Sequence, residues 1–105
     1  MNTVTETLTL KNASFPHFTV LRMQAVVDTE CNWLCIPESV REQLDLDPID
    51  MRIADDGSDR LVPHVGPIEV RLGNCITFCG ALVMGERVRL GRIPLTGLSP
   101  EPMRV

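Results

Sequence analysis

The chain has 105 residues, 44% of them hydrophobic, which is enough apolar material for one domain with one core and too much for a disordered chain. A formal net charge of −4 with no basic run disfavours nucleic-acid binding, which needs cations to neutralise phosphates. The opening MNTVTETLTLKN lacks the form of a secretory signal, and no apolar stretch approaches the roughly 18–20 residues of a membrane span, so a soluble cytoplasmic protein without membrane contact is expected.

Taken in chain order, short β-branched runs are punctuated by glycine, proline and aspartate, a strand pattern. Val4 to Leu10 alternates, with Val4, Glu6, Leu8 and Leu10 on one face and threonines on the other. Asn12 to Pro16 reads as a turn, and Phe18 to Val27 as a strand that delivers Asp28 at its end. Trp33 to Ile36 is a short buried strand. Pro37 then suits the first turn of a helix, where its missing N–H costs nothing, and Val40 and Leu44 face the core at i, i+4. That helix ends near Leu46, before Asp47-Pro48.

Ile49 to Ala54 and Arg60 to Val65 flank Asp55-Asp56-Gly57-Ser58-Asp59, a hairpin with an acidic tip. Gly66-Pro67 opens a further strand, Ile68 to Leu72. Gly73-Asn74 is a tight turn, Ile76 to Met84 continues the sheet, and Val88 to Leu95 leads into a single helical turn at Pro94 to Leu98. The expectation is one all-β domain over residues 1–105, a small closed barrel with one short helix.

The four cysteines fall as Cys31/Cys35 and Cys75/Cys79. Strand positions i and i+4 stand about 13 Å apart, too far for one metal or a local disulfide within either pair. Buried reduced thiols are expected, with a cross-strand bridge or metal as the alternative; no metal site and no cofactor is assigned. His17 and His64 have no partner nearby in sequence and read as surface residues. Trp33, the one tryptophan, reads as core packing against the alternative of a substrate-pocket wall.

Val26-Val27-Asp28-Thr29, an apolar strand running into Asp-Thr, is followed by Leu34-Cys35-Ile36-Pro37-Glu38, by the Gly57 hairpin, by Val65-Gly66-Pro67-Ile68-Glu69-Val70, and by Leu90-Gly91-Arg92-Ile93-Pro94-Leu95 about sixty residues after Asp28. Over roughly residues 4 to 98 this order resembles the retroviral-type (clan AA) aspartic proteases, most closely their bacterial single-domain members. The resemblance implies a retropepsin-like barrel and peptide-bond hydrolysis by two carboxylates that share a proton, so that one pKa is driven up and the other down. One chain supplies one Asp-Thr, so a homodimer is implied, with a catalytic Asp28 from each copy and Thr29 bonding across the two-fold axis. Asp56 and Gly57 would belong to a flap over an extended peptide or protein substrate, with Glu30, Leu90 and Gly91 lining its path.

Glu30 stands where the family has glycine. In an extended loop it would sit on the same side as Asp28, roughly 6–7 Å away, and raise that carboxyl by repulsion. The family's arginine after Leu-Gly pairs with a carboxylate near the loop. Here Asn32 occupies the acidic position, and Glu30 could turn toward Arg92 in its place. The tail Ser99 to Val105 contains two prolines where relatives have a dimer strand, so the dimer is expected to be weak. Two functions follow, an aspartic endopeptidase or a catalytically inactive barrel that binds a peptide or partner in the same groove. A small β-barrel module with a chance Asp-Thr is the reading that needs no family.

Overall fold

The computed structural model describes residues 4–15, 17 and 19–98. Seven strands and two short helices follow in the order β1 (Val4–Asn12), β2 (Val20–Val27), β3 (Leu34–Ile36), α1 (Glu38–Leu44), β4 (Pro48–Ile53), β5 (Leu61–Leu72), β6 (Cys75–Val83), β7 (Val88–Leu90) and α2 (Arg92–Leu98). Strand order is β1-β2-β7-β3-β6-β5-β4, and a further β1–β5 pairing closes six strands into a barrel with β4 outside the ring. The fold is therefore the all-β closed barrel expected. Residues 99–105, Pro16 and Phe18 lie outside the described residues, and with them the terminal tail.

Alternation decides which side chains fill the barrel. Leu8 and Leu10 of β1, Ala25 of β2, Leu34 and Ile36 of β3, and Val88 and Leu90 of β7 are buried in one core. Each fully buried leucine or isoleucine contributes about 1.5–3 kcal/mol relative to exposure. Helix α1 closes one side with Val40 and Leu44, and Asp45 at its C-cap adopts the left-handed conformation, φ 53°, returning its N–H to the helix carbonyls.

Several elements differ from their sequence reading. Asn12 is the last residue of β1 and is buried; its Nδ2 donates to the Leu44 and Asp45 carbonyls at 3.1 and 3.0 Å, and its Oδ1 accepts the Ser14 N–H at 2.8 Å. It thus serves both as turn former and as the tie between β1 and the end of α1. Asn12→Ala would strand those buried groups and is expected to cost about 2–3 kcal/mol, measurable as a shift of the urea midpoint with unchanged slope. Strand β5 runs unbroken through Gly66-Pro67, because a register shift between Val65 and Ile68 absorbs the two residues. The helical turn expected at Pro94 is a full helix, α2, making two helices and not one. Pro94 falls in its first turn, where an N–H is not needed. His64 is buried, not on the surface: it lies opposite Leu82, with Trp33 edge-on at 5.3 Å and the Asp50 carboxylate 2.9 Å from Nδ1.

The connection that makes the site is the placing of β7. It runs parallel to β2, with Val27 opposite Leu90, and antiparallel to β3, with Leu34 opposite Leu90. Residues 28–33 must therefore cross over the end of β7.

Candidate functional site

Asp28 continues the β2–β7 ladder one step past the strand, its N–H donating to the Leu90 carbonyl at 3.0 Å. The chain then turns at Thr29 and Glu30, both exposed, and the Cys31 N–H closes the turn on the Asp28 carbonyl at 3.1 Å. The Asp28 side chain holds this turn from within. Its Oδ1 accepts the Glu30 N–H at 3.0 Å, the local aspartate-to-backbone bond that favours Asp in turns.

The other oxygen, Oδ2, accepts from Arg89 Nη1 at 3.0 Å and from the Cys31 thiol at 3.4 Å. Arg89 is there because Val88 and Leu90 take the inward positions of β7, which turns the residue between them outward. The Glu30 N–H is the largest influence holding the Asp28 carboxyl below the usual carboxylate range; the Cys31 thiol and the charge and hydrogen bond of Arg89 add to it, against a smaller opposing effect of burial. This overturns the expectation of an extended loop in which Glu30 raises Asp28 by repulsion. The loop is a turn, and residue 30 acts on Asp28 through its backbone N–H, which favours the ionised form.

Gly91 lies beneath the crossing loop. The N–H groups of Gly91, Arg92 and Ile93 donate to the carbonyls of Trp33, Cys31 and Asn32 at 3.1, 2.9 and 2.9 Å. A Cβ on Gly91 would stand 2.4 Å from the Trp33 oxygen, so only glycine lets the two backbones approach. Arg92 Nη2 donates to Asn32 Oδ1 at 2.8 Å. The expectation that Glu30 would take this arginine is thereby corrected: Asn32 offers an acceptor on the same loop, and Glu30 is turned to solvent.

From the other side, the hairpin grips the loop. Asp55 Oδ2 accepts the N–H groups of Asn32 and Trp33 at 2.6 and 3.0 Å. Asp56 caps its own turn at the Ser58 N–H, 2.9 Å, and pairs with Arg60 at 3.3 Å; hydrogen bonds to Ser58 are the main reason its carboxyl also lies below the usual range. Gly57 is exposed at the tip with φ +79°. Between hairpin and loop lies a cavity of about 170 Å³. Cys31, Cys35 and Met84 supply its less polar lining, with Asp55, Asp56, Arg60, Gly85, Arg87 and Arg89 making up the rest.

The structure thus brings Asp28, Leu90 and Gly91 together, with Asp56 on the wall of the adjoining cavity. Thr29 and Glu30 stand on the crest of the turn, and Leu90 is fully buried, offering only its carbonyl to the site. Trp33 is half-buried; it packs on the small cluster of Cys35, Ala54, Val62 and Leu82, and the Arg52 guanidinium lies 5.2 Å from its ring. All four cysteines are free, Cys31 and Cys35 buried and Cys75 and Cys79 half-buried. Burial pushes the Cys35 thiol up to about 12 and the Cys79 thiol up to about 11. Cys31 is raised as well, first by burial and then by its bond to Asp28, so these thiols stay protonated at neutral pH.

Arg89, Asp55 and Arg87 are site residues that the sequence reading does not name as such, and Cys31, expected as a buried reduced thiol, is one that also bonds Asp28. For Arg89 only half of the signal is local: alternation between Val88 and Leu90 turns it outward, and the pairing of β7 with β2 sets it beside Asp28. No protein-family model matches the chain, and no curated protein matches it.

Proposed function

We propose that this chain is a non-hydrolytic relative of the retroviral-type aspartic proteases, a small barrel that binds an extended peptide in the groove beside Asp28 without cutting it. The observation that carries this reading is the ion pair between Arg89 and Asp28, 3.0 Å. A proteolytic dyad needs two carboxylates that share a proton, one of them neutral. Asp28 has the opposite environment: a guanidinium, a backbone N–H and a thiol all favour its ionised form. With three donors on it, the carboxylate is held ionised and has no proton to give to an oxyanion. Glu30 further crowds the place where the family leaves a glycine.

The groove suits a peptide segment carrying an acidic side chain. Arg60 is paired with Asp56 and Arg89 with Asp28, whereas Arg87, exposed on the lining, has no carboxylate partner among the described residues. The second reading, an acid endopeptidase made by two copies with one Asp28 each, is favoured by one observation: the Asp28 side chain keeps 26% of its surface open beside Leu90-Gly91.

The test is to titrate the full chain with a library of labelled decapeptides from pH 3 to 8, following anisotropy and reading the peptides afterwards by mass spectrometry. Peptides with an acidic residue are expected to bind and to remain intact, and Arg87→Glu to weaken them by about tenfold. Cleavage that disappears in Asp28→Asn would replace this reading with the endopeptidase. Absence of binding to any peptide would remove both.

A further inference from the structure

Strand β4, Pro48–Ile53, is the open edge of the sheet. It pairs with β5 on one side and has no second strand partner among the described residues. All six of its residues are exposed. Ile49, Met51 and Ile53, with Leu61 of β5 opposite Ile53, are each more than half exposed and give the hairpin an apolar outer face. Unpaired backbone groups beside exposed apolar side chains make a template for another strand, and native edges of this kind are normally blunted or covered.

The order of residues along the edge identifies the strand that fits. Ile49-Asp50-Met51-Arg52-Ile53 reads in complementary form backwards: isoleucine at both ends, methionine at the centre, and opposite charges at equal distance from it. We propose that β4 pairs antiparallel with β4 of a second copy about a two-fold axis at Met51, joining two barrels by one continuous sheet. In that register Met51 faces the partner's Met51 and Asp50 of each copy stands opposite Arg52 of the other, with Ile53 running toward the partner's Ile49 at the irregular start of its strand. Directly opposed residues on an antiparallel pair share a face, so the charges meet on one side and the apolar residues on the other.

The local structure allows this pairing. The register shift in β4 lies between Pro48 and Asp50, leaving Asp50 to Ile53 regular and able to pair. Asp50 and Arg52 pair with each other within the chain at 3.4 Å, Asp50 also contacts His64 and Arg52 lies over Trp33, and their side chains keep 45% and 44% of their surface open to a partner charge. Any shift of the axis by one residue would set Asp50 or Arg52 against its own copy, like charge on like, so the charges select one register. The interface is isologous and closes as a dimer, and it is independent of whether the Asp28 groove binds peptide.

Charge reversal tests the register directly, using sedimentation equilibrium of the full chain. The wild type is expected to be dimeric. Asp50→Arg sets arginine against Arg52 twice across the axis, and Arg52→Asp sets aspartate against Asp50 twice. Each is expected to raise the dimer dissociation constant on the order of tenfold. Mixing the two weakened variants restores opposite charges at both positions, and a heterodimer is expected at concentrations where each alone is monomeric. Met51→Lys touches no internal contact of these charged groups and places two lysines on the axis. It too is expected to give a monomer, and it keeps the test open if Asp50→Arg disturbs the His64 contact. A wild type that is monomeric at millimolar concentration, or a dimer that survives Met51→Lys, overturns the proposal. A monomer whose edge is instead filled by a foreign peptide overturns the second copy as its occupant.

Discussion

Gly91→Ala is expected to lower stability by about 3 kcal/mol or more, a fall in melting temperature of roughly 12 °C or more for a domain of this size. The added Cβ would stand 2.4 Å from the Trp33 carbonyl oxygen, 2.8 Å from the Trp33 nitrogen and 2.8 Å from the Asn32 carbonyl carbon. All three are backbone atoms. They are fixed from below by the hydrogen bonds of Gly91, Arg92 and Ile93, and from above by the Asp55 carboxylate on the Asn32 and Trp33 N–H groups. Relief by moving the loop would break the bonds that place Asp28, and relief by moving β7 would disturb Leu90 in the core. Gly57→Ala is the contrast. At φ +79° with nothing within 4 Å of the added Cβ, it suffers only the left-handed conformational cost, about 1–2 kcal/mol. A thermal melt followed by circular dichroism separates the two. A Gly91→Ala protein that melts within a few degrees of the wild type would mean the loop and β7 do not approach as described.

What could be read from the chain, and what could not, divides along a physical line. Local alternation was enough to set Leu8 and Leu10 inward, and Pro37 with Val40 and Leu44 was enough for α1. The nearness of Asp28 to Leu90-Gly91 followed from the order of motifs, and the backbone bond between Asp28 and Leu90 agrees with it. Alternation states which side chains share a face but not what covers that face. His64 looked like a solvent residue because histidine in a strand is usually exposed; it is buried because Trp33 and the Asp50–Arg52 pair lie over it. In β4 the reverse happened. Ile49, Met51 and Ile53 have the composition of a core strand, yet β4 stands outside the ring and nothing among the described residues covers them. The loop at Glu30 is a turn and not the extended segment that residue spacing suggests. A short aspartate side chain that captures the N–H two residues on changes the direction of the chain and, with it, the sign of the effect on Asp28. Arg89 reaches Asp28 only through the parallel register of Val27 on Leu90, a non-local fact that spacing along the chain does not contain.

Glu30→Gly combined with Arg89→Leu is expected to gain acid-dependent peptide cleavage at least about 100-fold above the wild type, and adding Asp28→Asn is expected to abolish it. Arg89→Leu removes the guanidinium 3.0 Å from Oδ2 and frees that oxygen. The N–H of residue 30 and the Cys31 thiol remain, so the Asp28 carboxyl should rise toward its ordinary value, 3.8, without losing all of its depression. Glu30→Gly removes a side chain from the turn that two copies would have to bring together. A second Asp28 can then raise one member of the pair and lower the other, the condition for sharing a proton. The pH dependence of stability gives an independent readout. Asp28 has a depressed pKa in the folded state, so in the wild type it contributes stability above 3.8 that is lost as the pH falls through the lower folded value. With Arg89 replaced, the gap between folded and unfolded values narrows, and acid unfolding below pH 4 should recover less stability on returning to neutral pH. Carboxyl carbon NMR titration of Asp28 in wild type and Arg89→Leu measures the same displacement directly. A wild type that already cleaves peptides, with Arg89→Leu altering neither the rate nor the Asp28 titration, would show that the Arg89 pair is not what blocks hydrolysis and would return the chain to the endopeptidase reading. A folded double variant that carries Met51→Lys to block the β4 edge, still dimerises through the Asp28 turn and is silent from pH 3 to 8 would show that removing Arg89 and Glu30 does not by itself rebuild a working dyad.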